Sequence, residues 1–376
     1  MIIIGSILII THLLSLGMLV YGYQNIPENI FKPEENENPI THFSIIIPFR
    51  NEAKNLPDLL KTIKQLNYPK NLYEILFVDD ESKDNSVDII LNELNGGNIS
   101  FRIINNNRKS ASPKKDAITK AISLSKHDWI LTTDADCKLP ENWLLAFDRY
   151  IQKYQPTMLV GPVQYFEGKG LINHYQQLDN YSLQTTTIGS FGLKNPLLCN
   201  GANLAYKKEE FKAVLGFSEN SHIASGDDIF LLEKFKDRNS KGVQFIKNKD
   251  AIVLTRPQES WNSIINQRVR WASKTSKQKD FYTKLLGTVV FLTNLLVLIG
   301  ILFCLLNKSY LSYYLTFFSI KIIVDYLVLI QTSSFFRNKI NICYFLINTL
   351  IYPIITVIVV LKTIKGNYIW KDRTFN

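Results

Sequence analysis

The sequence predicts an α/β domain built on a mostly parallel, doubly wound sheet, with apolar helices at both ends of the chain. Three observations predict it. Short apolar runs alternate with helix-forming stretches across residues 43–134. Several of those runs stop at Pro or Asp. Outside the 42–284 stretch lie four apolar segments, at 2–23, 285–306, 310–331 and 340–361. A strand–helix alternation of this kind builds a parallel sheet with helices on both faces.

The elements follow in order. Phe43 to Pro48 is a short apolar run stopped by Pro and reads as a buried parallel strand. A helix is expected from about Asn55 to Gln65, with Pro57 tolerated in its first turn. Glu74 to Val78 reads as a second strand ending at Asp79-Asp80, and Asp84 as the cap of a helix running to about Leu94. Phe101 to Ile104 is the third strand. Ser112-Pro113 opens the next helix, and Trp129 to Thr133 is a fourth strand ending at Asp134. Ligands of such sheets bind beyond the carboxyl ends of the strands, where these acids sit. No glycine-rich phosphate loop is present, so a dinucleotide-binding reading lacks its fingerprint.

The four apolar segments each hold roughly the 20 residues that span a bilayer core. The first lacks a positive n-region and a small-residue cleavage site, so it reads as a retained anchor. Residues 25–38 are rich in Asn, Glu and Pro and read as a linker. Cys137, Cys199, Cys304 and Cys343 are scattered without a C-x-x-C spacing, which argues against a disulfide framework or zinc site. The net charge is +10, and the 42–284 stretch is basic, so the positive-inside rule puts that domain in the cytoplasm. One conflict follows. Four full spans would leave residues 362–376 outside, yet that tail carries Lys362, Lys365, Lys371 and Arg373. Either a C-terminal segment is re-entrant or interfacial, or the rule fails. Lys321 and Asp325 stand four apart inside an apolar segment and should face a partner or each other.

Three clusters carry chemistry. Asp134-Ala135-Asp136 follows a strand; Mg²⁺ or Mn²⁺ takes one or two such carboxylates and completes its shell with phosphate and water. In Gly226-Asp227-Asp228 one Asp could serve as general base. Its bland reading is equally concrete: Ser225 as N-cap with Asp228 at N3 approximates a capping box. Gln267-Arg268-Val269-Arg270-Trp271 puts Gln267, Arg270 and Trp271 on one face if residues 258–276 are helical. Arg grips diphosphate bidentately, and Trp packs on a pyranose; alternatively the stretch is an ordinary interfacial helix with Trp261 and Trp271 as anchors. Asp79 and Asp80 are either turn acids or acceptors for a base or ribose. Lys114 and Lys115 in a helix's first turn hint at an anionic partner, with solvated lysines as the default. His222 reads as structural. Together the clusters fit the handling of a metal-bound nucleoside diphosphate beside a sugar.

These motifs, with Ser44 to Glu52 and Gly201 to Ala205, resemble the family 2 glycosyltransferases of GT-A fold. The resemblance covers about residues 43–275 and points to the membrane-bound branch with cellulose, chitin and hyaluronan synthases and ceramide glucosyltransferases. It implies that Pro48 and Glu52 frame the nucleotide pocket, that Asp79 with Asp80 contacts the base, and that Asp134 and Asp136 hold diphosphate and metal. Asp228 matches the family's base, with Asp227 as competitor. Gln267 and Arg270 match the diphosphate contacts, and Trp271 the acceptor end. The family's Gly-Lys motif departs here, because Pro113 stands where Gly is usual; Lys115 is carried over as a donor contact and Lys114 stays open.

The implied enzyme is a membrane-bound, inverting, Mg²⁺- or Mn²⁺-dependent transferase. Its partners would be a nucleotide-sugar such as a UDP-sugar, a lipid or glycan acceptor and the membrane, with no nucleic acid, at a bacterial inner membrane with a cytoplasmic catalytic domain. The expected divisions are an anchor at 1–24, a linker at 25–41, a GT-A domain at 42–256, an amphipathic region at 257–284, a transmembrane region at 285–361 and a basic tail at 362–376. The rivals are a transferase charging a polyprenyl phosphate, a non-catalytic nucleotide-sugar-binding membrane protein, and a transporter built around Lys321 and Asp325.

Overall fold

A computed structural model describes residues 2–29, 38–221, 223, 225–365, 368–370 and 373–375, with backbone alone at 276, 368–370 and 373–375. His222, residues 30–37 of the expected linker and Lys371 of the tail lie outside the described residues.

The chain opens with α1 (Ile2–Asn25). Then come β1 (Phe43–Phe49), α2 (Leu56–Lys64), β2 (Tyr73–Asp79), α3 (Ser86–Leu94), β3 (Phe101–Asn105), α4 (Pro113–Leu124) and β4 (Trp129–Thr132). These are the expected strands and helices, within a residue or two. The cap of α3 is shifted: Asn85 holds the cap position, while the Asp84 carboxylate accepts from Ser86 N at 3.1 Å and Ala53 N at 3.0 Å. Next are β5 (Cys137–Lys138), α5 (Trp143–Tyr154), β6 (Met158–Val160), β7 (Val163–Tyr165), α6 (Leu171–Gly192), β8 (Leu204–Lys207), α7 (Lys208–Ala213), α8 (Ile229–Asn239), β9 (Val243–Phe245) and β10 (Val253–Thr255). The chain ends with α9 (Trp261–Ser276), α10 (Phe281–Leu306), α11 (Leu311–Phe335), α12 (Ile342–Ile364), β11 (Tyr368–Trp370) and β12 (Arg373–Phe375).

The chain divides into two compact units. One holds Ile26–Phe166 and Lys194–Arg256. Its seven-stranded sheet has the order β3-β2-β1-β4-β8-β6-β9, and β8 alone runs against the rest. A second, three-stranded sheet has the order β5-β10-β7. Ile45, Ile47, Ile75 and Phe77 are fully buried in the core, where each side chain contributes about 1.5–3 kcal/mol relative to exposure. At the strands' amino ends, Glu74 is buried and accepts from Lys126 N at 2.6 Å, Ser44 Oγ at 2.7 Å and Arg102 Nη2 at 3.0 Å.

The other unit holds Met1–Asn25, Glu167–Leu193 and Pro257–Asn376. A contiguous domain over 42–256 therefore does not describe the chain, because α6 leaves it. Its inward residues include Gln176, Asp179, Asn180, Gln184, Thr185 and Ser190, so no apolar period announces it. Backbone meets backbone where α1 crosses α6: a Cβ on Gly22 would strike Gly189 O, and one on Gly192 would strike Gly22 O. Among the described residues four helices, α1, α10, α12 and one that includes α11, are long and apolar enough to cross a membrane. Within them Lys321 Nζ lies 2.5 Å from Asp325, whose other oxygen lies 3.1 Å from His12 Nε2 of α1.

Candidate active site

The carboxyl edge of the parallel strands gathers the acids. Phe49 at the end of β1 lies opposite Asp79 of β2, which lies opposite Asn105 of β3. Thr133 N donates to Ile46 O at 3.2 Å, so the segment carrying Asp134 leaves the sheet at that edge.

At the β2 end, Asp80 is 8% exposed, and its Oδ1 accepts from Arg108 Nε at 2.6 Å and Asn106 Nδ2 at 2.8 Å. Its carbonyl accepts from Arg50 Nη1 at 2.6 Å and Arg108 Nη2 at 2.9 Å. Asp80 thus organises two arginines, while Asp79 beside it is half-buried and accepts from Ser82 N at 2.9 Å. Glu52 accepts from Asn55 Nδ2 at 2.6 Å and donates its N–H to Ser86 Oγ at 2.9 Å, which ties the loop after β1 to the start of α3. Pro48 lies opposite Val78, partly exposed. Asn51 (φ 52°) and Glu81 (φ 59°) hold left-handed backbone here, strained most for Glu, whose carboxylate Arg108 Nη1 pins at 2.6 Å.

At the β4 end, Lys114 Nζ stands 2.7 Å from Asp134 Oδ1 and 3.2 Å from Asp227 Oδ2. Burial alone would pull this ammonium's pKa down, but Asp134 and then Asp227 overturn that and raise it. Burial pushes the Cys137 thiol up, and the charges of Asp136 and Asp134 push it further. Burial followed by the Asp227 charge does the same to the Tyr206 phenol. Gly201 makes room: a Cβ there would lie 2.9 Å from Asp227 Oδ2 and 3.6 Å from Lys114 Nζ. Thr132 Oγ1 holds Gly201 O at 2.7 Å, and the fully buried Asn203 accepts from Trp143 Nε1 at 2.9 Å while donating to Pro162 O and Ala251 O, both at 2.8 Å.

The capping box expected at Ser225 is corrected. Gly226 has φ 82°, so helical backbone cannot start there, and α8 begins at Ile229 with Asp228 as its cap. Asp228 Oδ1 accepts from Ile229 N at 2.8 Å, and Oδ2 from Gly201 N at 3.4 Å. The two lysines also part. Lys115 is 1% exposed and donates to Asn220 O at 2.7 Å and Ile223 O at 2.9 Å, so it tethers a loop, while Lys114 faces the acids. Helical phase separates them poorly: buried positions lie three and seven residues beyond each.

Asp134 and Asp136 suit a hard divalent cation. Among the described residues no three His, Cys, Asp or Glu side chains converge, so the protein offers two carboxylates and leaves the remaining positions to phosphate oxygens and water.

Gln267, Arg270 and Trp271 belong to α9 in the other unit, a helix that starts at Trp261 behind a Ser260–Ser263 capping box rather than at residue 258. The residue between them proves to be the organiser. Arg268 is 8% exposed, pairs with the buried Asp179 of α6, stacks its guanidinium 4.1 Å from the Trp271 ring centroid and donates to Gln267 Oε1 at 2.7 Å. One face of Trp271 is therefore covered by Arg268.

Residues 44–215 match the sequence profile of Glycosyl transferase family 2. This stretch is a family 2 glycosyltransferase domain. A poly(ribitol-phosphate) beta-glucosyltransferase from Bacillus spizizenii is 29% identical over 128 residues, covering 34% of this chain and 20% of that protein. An undecaprenyl-phosphate 4-deoxy-4-formamido-L-arabinose transferase from Pseudomonas fluorescens is 36% identical over 108 residues, covering 27% of this chain and 30% of that protein. The chain thus spans less than a third of the length of these curated relatives. A solved structure of the mannosyltransferase PcManGT from Pyrobaculum calidifontis, in complex with GDP-Man and Mn²⁺, superposes with a TM-score of 0.58 at 16% identity, covering 97% of this chain and 99% of that one. That likeness establishes the GT-A fold, with apolar helices at both ends of the chain.

Proposed function

We propose that this chain is a membrane-bound, inverting glycosyltransferase that moves a sugar from a nucleoside diphosphate sugar, a UDP-sugar in the first instance, to a lipid or glycan hydroxyl. The observation that carries the reading is the double engagement of Lys114, which joins Asp134 of the D-x-D to Asp227 of the Gly-Asp-Asp. The chain brings these motifs together only by folding, and a cation shared between them supports an anionic leaving group beside it.

In this reading Asp79 contacts the nucleobase, with Asp80, Pro48 and Glu52 shaping the pocket. Asp134 and Asp136 hold Mg²⁺ or Mn²⁺, which when bound neutralises charge growing on the departing diphosphate. Asp228 removes the proton from the acceptor hydroxyl, whose oxygen attacks the anomeric carbon as the bond to the diphosphate oxygen breaks. Asp227 is engaged by Lys114 and holds that ammonium toward the leaving group. Gln267 and Arg270 contact the diphosphate. Trp271 meets the acceptor with the face that Arg268 leaves open. Four apolar helices and the basic composition support an integral protein of a bacterial inner membrane with its catalytic domain in the cytoplasm.

A polyprenyl phosphate is the second acceptor class, favoured by the undecaprenyl-phosphate transferase among the relatives and opposed by the Gln-x-x-Arg-Trp motif. The test is a thermal-shift screen of UDP-sugars and GDP-mannose with and without Mn²⁺, followed by transfer assays on polyprenyl phosphates, other lipids and glycans. A native-state ligand at 100 times its Kd stabilises by about 2.7 kcal/mol. Metal-dependent stabilisation by one donor, with transfer to one acceptor class, is expected. Binding without turnover on any acceptor would instead support a non-catalytic sensor.

A further inference from the structure

The four apolar helices leave a topological question that the packing of α12 answers. α10 has 26 residues, about 39 Å of helix, enough to cross a bilayer once. Its first residue, Phe281, therefore sits at one interface. α9 ends at Ser276, and the chain from there to Phe281 reaches at most about 18 Å, so the end of α9 lies near that interface. α11 follows α10 after a short connection and has 25 residues, about 37 Å, enough to return. The 336–341 loop then lies on the side from which α10 set out.

α12 begins after that loop and does not lead away from it. Its second half, through Ile351, Ile355 and Val359, packs in one cluster with Ile264 and Val269 of α9. The first turns of α6 touch it twice: His174 stacks on Tyr344 at 3.9 Å between centroids, and Tyr175 lies 6.3 Å from Tyr352. Adjacent residues of one helix thus meet positions about 12 Å apart along α12, as a crossing helix would. Both partners carry polar and charged side chains. α6 carries Gln176, Asp179, Asn180 and Gln184, and α9 carries Arg268, Arg270 and Lys274. Beyond α12 the backbone of β11 lies beside α9 again. The opposite face of α12 exposes Ile347, Leu350, Ile354 and Leu361, a stripe at helical spacing.

We infer that α12 does not cross the membrane: it lies in one leaflet, packed on α9, α6 and the flank of α10, with the Ile347–Leu361 stripe against lipid acyl chains. The C-terminal tail then stays on the side of α9 and of the 336–341 loop, with three crossings in all, by α1, α10 and α11. Lys362 and Lys365, both exposed, fall at that leaflet's headgroups, where cations are favoured. The charge conflict posed by four full spans disappears. The inference is independent of the catalytic reading.

The test uses the full chain with its four native cysteines replaced by Ser and single cysteines at Lys308→Cys, Lys339→Cys or Lys365→Cys. A membrane-impermeant maleimide is applied to intact and to permeabilised cells. Position 365 should label under the same condition as 339 and under the opposite condition to 308. Labelling of 365 together with 308 overturns the inference, as does identical labelling of 308 and 339, which would remove the crossing by α11. Should the cysteine-free chain fail to fold, epitope tags at both termini of the otherwise native chain decide. Ile2 O accepts from Tyr313 OH at 3.0 Å, so the amino end of α1 lies beside the start of α11, at the far interface. Tags accessible from opposite sides support the leaflet helix, and tags accessible from one side overturn it.

Discussion

Lys114 donates to Asp134 at 2.7 Å while lying 3.2 Å from Asp227. One ammonium thereby links the end of β4 to the segment before α8, and both carboxylates depend on it for charge balance. Replacing it by Met should leave like charges facing each other and weaken both donor binding and transfer. We expect kcat/KM to fall by about 100-fold, the scale of losing one charge-stabilising donor, with Lys114→Arg retaining part of it. Lys115→Met should instead lower thermal stability, because that ammonium holds the Asn220 and Ile223 carbonyls, and should change kcat/KM little in the folded fraction.

Asp228 and Asp227 should separate kinetically. Asp228→Asn keeps a cap on α8 and loses the base, so kcat should drop by about 10²–10⁴-fold while the donor-induced thermal shift persists. Asp227→Asn should disturb the Lys114 position and raise the donor KM as well. Steady-state kinetics on both variants, with donor titrations by thermal shift, check the split.

The Arg268–Asp179 pair is buried and joins α9 to α6. Breaking it from one side leaves an uncompensated charge, which costs about 3–5 kcal/mol. Asp179→Leu and Arg268→Met should each destabilise strongly, and the double variant should be milder than the sum. Its donor affinity should still be weakened, because Gln267 loses the guanidinium that orients it. A double-mutant cycle on thermal stability and donor Kd measures both effects.

Glu74 offers a pH test far from catalysis. Burial would raise its pKa, but Lys126 N, Ser44 and Arg102 overturn that and hold it below the ordinary value of 4.5. A carboxyl depressed on folding contributes stability that is complete above its unfolded value and disappears as pH falls through its folded one. Glu74→Gln should therefore cost about 2 kcal/mol at neutral pH, with the difference from wild type shrinking below about pH 4. Thermal melts across that range check it.

Much of this was legible in the chain because apolar runs ending in Pro48, Asp79 and Asp134 mark strands and edge together. The convergence of Asp134 with Asp227 was not, since it needs β8 inserted against its neighbours and the Gly201 turn held by Thr132. α6 carries no clean apolar stripe because Gln, Asn, Asp and Thr share its inward face with Tyr175, Leu178, Tyr181, Ile188 and Phe191. Arg268 escaped because a charged residue between motif positions reads as solvated until its partner, Asp179, is placed. Lys321 and Asp325 were paired by spacing alone, whereas His12 joins them from α1, 313 positions before Asp325 in the chain.

In the proposed mechanism, acids and a lysine act together on a nucleoside diphosphate. The most direct measurement is release of free nucleoside diphosphate from a nucleotide-sugar by the purified full chain with Mn²⁺, alongside Asp134→Ala and Asp228→Asn. Wild type should turn over, and both variants should fall by about 100-fold or more. Undiminished release by Asp134→Ala, or no release by wild type across UDP- and GDP-sugars with every acceptor class supplied, would contradict it.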